Sequence, residues 1–201
     1  MSDDRDADLF EAGLLLLAGT RWLRHPDGGR APDAWAVVGE HAGTGLRAEF
    51  ATEPAAARFA DVMRAVPDAR CWMRCRVAGI RRQYETFTVE VDSVEPLIVV
   101  GRLHGEWSRN VGLLLGDGAA DEPALRMRAA AVWRSALLTA APRVSPAGLR
   151  LRSRDRSLMR LLLRAAQVLG VPCQARTGQG TQTIHASGRG VSALLSTIRS
   201  E

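Results

Sequence analysis

Two runs rich in small and aliphatic residues, EAGLLLLAG at 11–19 and WRSALLTAA at 133–141, read as two worn copies of one helix motif. The first is apolar nearly all round, so it has to be central and buried under a layer of structure that covers it. The segments that follow supply such layers. After the first run come AWAVVGE (34–40), GLRAEFAT (45–52), RCWMRCRV (70–77) and ETFTVEVDS (85–93), which alternate as half-buried strands do, with an amphipathic helix at 53–66 among them. After the second come the strand AGLRLRS (147–153), the helix SLMRLLLRAAQVLG (157–170), a hairpin CQARTG–TQTIHAS and a last helix from 188. The order is helix, strand, strand, helix, strand, strand, then helix, strand, helix, hairpin, helix: one pattern used twice, with a strand trimmed from the second copy.

Local chemistry sharpens these boundaries. The first helix is expected over 9–23 with Asp6 or Asp8 as N-cap, and the next is opened by Thr52 and Pro54. Asp155 caps the helix that Gly170 and Pro172 close. Between the copies, 94–122 mixes apolar tetrads with glycine and aspartate, and reads as a connector with a short strand at 97–100 and a turn at 116–118. The expected division is therefore a first lobe at 1–93, the connector at 94–122 and a second lobe at 123–201.

All 27 basic residues are arginine, and their placement is uneven. Residues 1–100 hold 12 arginines against 16 acids, whereas 101–201 hold 15 against 6. From Arg126 to Arg199 there are 13 arginines and one acid, Asp155. A basic second half of this kind suits a polyanion. The first half does not. No apolar run of about 18 residues that could cross a bilayer occurs, and the acidic start MSDDRDAD is unlike a secretory signal, so a cytoplasmic, membrane-free protein is expected.

Cys71 and Cys75 stand at alternating-strand positions with Met73 and Val77, so all four are expected in the core, and with Cys173 they make no disulfide framework. The four histidines (25, 41, 104 and 185) show no spacing to a serine or cysteine that marks a catalytic pair. The stretch GDGAADEP lacks the ligand spacing of a calcium loop, and TGQGT is explained as a hairpin turn.

The run at 11–19 resembles the LAGLIDADG signature, laid on it without a gap and keeping Ala12, Gly13, Leu14 and Gly19 in register. In the second run Ser135 stands where Gly13 does. Where the signature carries its metal-binding aspartate this chain has Ala18 and, in the second copy, Ala140. Neither offers the hard oxygen that a divalent metal requires. The wider phrases VGLLLGDG…ALRMRAAAVWRSALLTA, LRLRS, LLLRAAQVLGVPCQAR and GVSALLSTI resemble the WhiA-like sporulation transcription regulators, whose N-terminal part is a degenerate LAGLIDADG-endonuclease fold. That resemblance implies an α+β protein of two LAGLIDADG-like lobes, a saddle of antiparallel sheets backed by helices. It implies no nuclease activity, no cofactor and no metal. WhiA proteins continue into a helix-turn-helix domain, whereas this chain stops at Glu201, so promoter recognition through that domain does not carry over.

The strand alternation sends Arg74 and Arg76 outward in the first lobe, and Arg150, Arg152, Arg154, Gln174 and Arg176 in the second, with Thr181, Thr183 and His185 on the last strand. Guanidinium groups grip phosphate in bidentate geometry, and arginine or glutamine can read purine edges, so duplex DNA is the expected partner. Trp72 is placed either for base stacking or for packing. Three readings follow: a non-catalytic DNA-binding regulator; a protein-interaction module, partnering transcription machinery or a separate helix-turn-helix subunit; and a cryptic enzyme of a biosynthetic cluster. The plain alternative for the arginines is pairing with the acidic first half.

Overall fold

A computed structural model of the chain describes residues 2–21, 46–67, 69–78, 84–93, 95–116, 121–139, 142–145, 148–153, 155–178 and 181–199. The elements in order are α1 (Ser2–Arg21), β1 (Leu46–Phe50), α2 (Glu53–Arg64), β2 (Arg70–Ala78), β3 (Tyr84–Asp92), α3 (Pro96–Leu115), α4 (Glu122–Thr139), β4 (Arg143–Ser145), β5 (Gly148–Ser153), α5 (Arg156–Val168), β6 (Cys173–Gly178), β7 (Thr181–Ser187) and α6 (Gly188–Arg199). The strands form two antiparallel sheets, β1-β3-β2 and β4-β5-β7-β6. This is the expected α+β architecture. The chain divides into two units, one spanning Asp8–Trp107 and the other Ser108–Glu201 together with Met1–Ala7. The strand expected at 34–40 lies outside the described residues.

In the first unit the alternation of GLRAEFAT works as expected: Leu46, Ala48 and Phe50 are buried, and so are Phe87, Val89 and Val91 of the neighbouring strand. Helix α2 covers this face with Ala55, Ala56, Phe59, Ala60, Val62 and Met63, and the Phe50 and Phe59 rings meet at 5.3 Å. Thr52 has the extended backbone of an N-cap and Pro54 sits in the first turn, although the Thr52 side chain makes no capping bond.

Strand β2 departs from expectation. Cys75 is exposed, Cys71 is half-buried, and Met73 and Val77 are 40% and 62% exposed, so the four are not core residues. Register explains why. Met73 pairs with Val89 and Cys75 with Phe87, so they do share the buried face, but β2 is the edge strand and its far end extends beyond the helix cover. Thr88 departs in the opposite sense. Expected outside, it is buried, because on the central strand it sits between Glu49 and Arg74.

Helix α1 starts earlier than expected, so Asp6 and Asp8 lie inside it rather than at its cap. Asp8 instead joins a part-buried charge cluster. Glu11, with no exposed surface, accepts from Arg58 Nε at 3.1 Å and from its terminal nitrogen at 2.8 Å; the same guanidinium reaches Asp8 at 2.8 Å. The Glu11 hydrogen bond raises the Arg58 pKa further above its ordinary value, against desolvation. Sequence periodicity gave no hint of this pair, because Glu11 looks like one polar interruption in an apolar run.

The short strand expected at 97–100 is also corrected: 96–115 is one helix, α3. The β-branched Ile98-Val99-Val100 and the glycines argued for broken structure, but Val99, Val100, Leu103, Asn110 and Leu114 recur at helical spacing and are buried. Gly101, Gly105 and Gly112 have open space around them, so they mark no close packing. Burial of the stripe outweighs about 1 kcal/mol per glycine in lost helix propensity.

In the second unit α4 is buried through Ala124, Arg128, Ala129–Val132, Trp133, Ser135 and Ala136, and it packs on α5 and α6. Arg128 Nε donates to Asn110 Oδ1, and Arg164 Nε donates at 3.0 Å to the Leu114 carbonyl at the end of α3. Asp155 caps α5 as expected, accepting from the Ser157 and Leu158 amides at 2.9 and 3.3 Å. The strand thought to be trimmed is present as β4, only three residues long and entirely exposed.

Replacing Arg58 with Ala would leave the Glu11 carboxylate buried without its fork, which should cost about 3 kcal/mol, the low end for a broken buried pair since Arg58 is one-third exposed. Urea unfolding of wild type and variant measures this, and a loss below 1 kcal/mol would show the pair to be well hydrated. The thiols give a second check. Burial pushes Cys173 up to about 11 and Cys71 upward as well, so at pH 8 a disulfide reagent should titrate exposed Cys75 first.

Candidate nucleic-acid interface

The four-stranded sheet has one face turned to the helices and one turned away. Leu149, Leu151, Ile184 and Ala186 are buried on the first. Residues of opposite parity must then lie on the second, and register arranges them in rows. Arg143 pairs with Arg150, Arg150 with His185, and His185 with Gln174, giving one row across all four strands. Arg152, Thr183 and Arg176 form the next, and Thr181 pairs with Gly178 beyond it. Arg152 reaches the Thr181 hydroxyl at 3.5 Å.

The sequence placed Arg150, Arg152, Gln174, Arg176, Thr181, Thr183 and His185 outward, and the structure gathers them on this single face. The burial of Ile184 and Ala186 settles the orientation of β7. Arg154 lies outside the described residues. Arg143 was missed, because the strand that carries it is bounded by Pro142 and Pro146 and is too short for its alternation to show.

Gly148 occupies the outer-face position next along β5 from Arg150, with φ of 141°, in the region that disfavours side chains. A Cβ there would lie 2.1 Å from the Ala186 carbonyl oxygen and 3.2 Å from His185 Nε2. The bare backbone thus leaves room for the imidazole to lie against the sheet.

Charge distinguishes this face from its counterpart. Arg143, Arg150, Arg152 and Arg176 are exposed, and the described residues of the face include no carboxylate. Arg143 and Arg150 are directly opposed across β4 and β5, a like-charge pairing that costs about 0.2–1 kcal/mol. On the first unit's sheet the outward residues are mixed. Arg47 pairs with Glu49 at 3.1 Å and Arg74 with Glu90 at 3.5 Å, and Arg70 stands in register with Asp92. Arg76 is opposite Thr86, whose hydroxyl donates to its carbonyl at 3.3 Å. Trp72 is half exposed opposite Glu90, on the same face as Arg74.

Of the motif positions, Gly13 and Ser135 are buried in α1 and α4, Ala18 and Gly19 lie near the end of α1, and Ala140 falls outside the described residues. Among the described residues no group of three or more His, Cys, Asp or Glu side chains could hold a metal ion. No described helix is long and apolar enough to cross a membrane.

No family model and no curated protein matches the chain. Solved structures do. The homing endonuclease I-DmoI in complex with DNA and Mn is similar at 14% identity, with a TM-score of 0.54 over 96% of this chain and 98% of that one. Mesophilic variants of I-DmoI match with a TM-score of 0.51 at 12% identity, over 98% of both chains. The N-terminal LAGLIDADG domain of DUF199/WhiA matches with a TM-score of 0.50 at 11% identity, over 98% of this chain and 91% of that domain. The fold is LAGLIDADG-like.

Replacing Gly148 with Ala should destabilise the protein by about 1–3 kcal/mol through backbone strain, with the Ala186 clash added, and displace His185. Thermal unfolding and the His185 imidazole NMR shifts read both effects; an unmoved melting point would contradict the β5–β7 approach described here.

Proposed function

We propose that this protein is a non-catalytic DNA-binding module of WhiA-like, transcription-regulatory type, which docks duplex DNA on the outer face of its four-stranded sheet. One observation carries the reading: four exposed arginines share a face with Gln174, His185 and two threonines, without a carboxylate among the described residues. A face kept only for solubility has no reason to oppose Arg143 to Arg150, a pairing that weakens the sheet. Phosphate oxygens relieve that repulsion, and guanidinium groups take them in pairs. Four strands about 4.8 Å apart span about 14 Å, comparable with the roughly 12 Å major groove that admits β-ribbons.

The fold supports the choice of ligand, since a similar structure, I-DmoI, is solved in complex with DNA. The regulatory element of the proposal rests on the residue-level resemblance to WhiA. The non-catalytic element rests on Ala18 and Ala140. With no oxygen donor at either motif position, nothing there would hold the cation that activates water for phosphodiester cleavage.

Gel-shift titrations over 50–200 mM salt test the docking. Arg150→Glu with Arg152→Glu should weaken binding about 50-fold near 0.1 M salt and flatten the log–log salt dependence by about 1.8, the release of two phosphate contacts. Unchanged affinity would refute the assignment of this face.

A further inference from the structure

We propose that the chain engages DNA through one sheet only, on about six base pairs, and that acids built into the other sheet keep it off the phosphate backbone. The inference rests on the DNA-binding reading above and goes beyond it, because a fold with two antiparallel sheets offers two outer faces to a duplex, and the two differ in charge.

The contrast is residue by residue. On the first sheet every described row that holds an arginine, apart from that of Arg76, carries an acid. Glu90 stands between Arg47 and Trp72, Thr88 between Glu49 and Arg74, and Asp92 opposite Arg70. Two arginines are already held in ion pairs, Arg47 by Glu49 at 3.1 Å and Arg74 by Glu90 at 3.5 Å. A phosphate approaching either guanidinium meets a carboxylate on the same row. Among these arginines Arg76 alone has no acid in its row, where it faces Thr86 toward the far end of β2. On the second sheet none of the four arginines has an acid in its row, and among the described residues none makes an ion pair. The same division runs through the whole sequence, with 16 acids in residues 1–100 and 6 in 101–201.

Geometry sets the footprint. Strands β5 and β7 have 6 and 7 residues, so the arginine face is about 20 Å long, which matches about six base pairs at about 3.4 Å each. The row Arg143–Arg150–His185–Gln174 brings two purine-reading side-chain types together, while Arg152 and Arg176 flank Thr183 in the next row.

The test uses the full chain and labelled random-sequence duplexes of about ten and about twenty-four base pairs, followed by anisotropy across a salt series. The short duplex should bind within about threefold of the long one after correction for the number of registers, with the same salt slope. Arg74→Glu with Arg76→Glu should leave both unchanged. Glu49→Gln with Glu90→Gln, which releases Arg47 and Arg74, should steepen the slope on the long duplex by up to about 1.8.

A loss of more than about thirtyfold on shortening would overturn the one-sheet footprint, as would Arg74/Arg76 variants as damaging as those at Arg150 and Arg152. An unchanged slope in the glutamine variant would refute the role given to the two acids. Each of these outcomes leaves DNA binding itself standing. Failure of the wild-type chain to bind the long duplex would remove both proposals together.

Discussion

Burial of four aliphatic side chains, Leu149, Leu151, Ile184 and Ala186, governs the surface of the second unit. A strand has a period of two, so driving one parity against α5 and α6 leaves the other parity no choice of face. Slipping β5 by a single residue would bury Arg150 and Arg152 and expose two leucines, at a cost no surface interaction could offset. The arginine array is thus held in place by the core beneath it. Gly148 adds a local constraint, because its close approach to Ala186 is possible only without a side chain and pins β5 against β7 at the end where His185 lies.

The same argument shows what was legible in the sequence. Strand β5 alternates cleanly, so the outward positions of Arg150 and Arg152 could be read without coordinates, whereas in TQTIHAS polar residues fall at both parities and only the burial of Ile184 and Ala186 fixes Thr183 and His185 outward. Asp155 was readable because a cap depends on a few neighbouring residues. The features that escaped depend on distant partners. Arg143 needed β5 beside it before three residues became a strand, and the Glu11–Arg58 pair joins residues 47 apart. Strand β2 reads as half-buried by alternation, yet its edge position left Met73 and Val77 uncovered. Alternation tells which side a residue faces, and the reach of the covering helix decides whether that side is dry. Helix α3 misled for another reason: glycines and β-branched residues speak against a helix one at a time, whereas its buried stripe emerges only over five turns.

The two units handle charge in opposite ways. In the first, charged groups answer one another, inside through Glu11, Asp8 and Arg58 and outside through Arg47–Glu49 and Arg74–Glu90. The exposed pairs contribute about 0–1 kcal/mol each, too little to explain their presence as a matter of stability. On the proposed one-sheet docking their effect on recognition would be larger, since a like-charge juxtaposition with an incoming polyanion rejects the ligand even where its effect on folding is negligible. In the second unit the arginines on the outer face have no such answer.

An uncompensated face of this kind weakens the fold that displays it. Arg143 and Arg150 repel across the β4–β5 ladder, and Arg152 and Arg176 are separated only by Thr183. Solvent screens much of that repulsion, because the groups are exposed and the Debye length at physiological salt is about 8 Å. What screening leaves favours any ligand that supplies phosphates at matching spacing. On the proposed docking, binding would gain from two sources, counterion release from the nucleic acid and relief of repulsion within the protein. Both gains shrink as salt rises. On the proposed docking, a sheet without acids would confer affinity that depends strongly on ionic strength, whereas discrimination between sequences would come from the side chains that reach base edges, Gln174 and the arginines among them, whose directional hydrogen bonds salt screens far less.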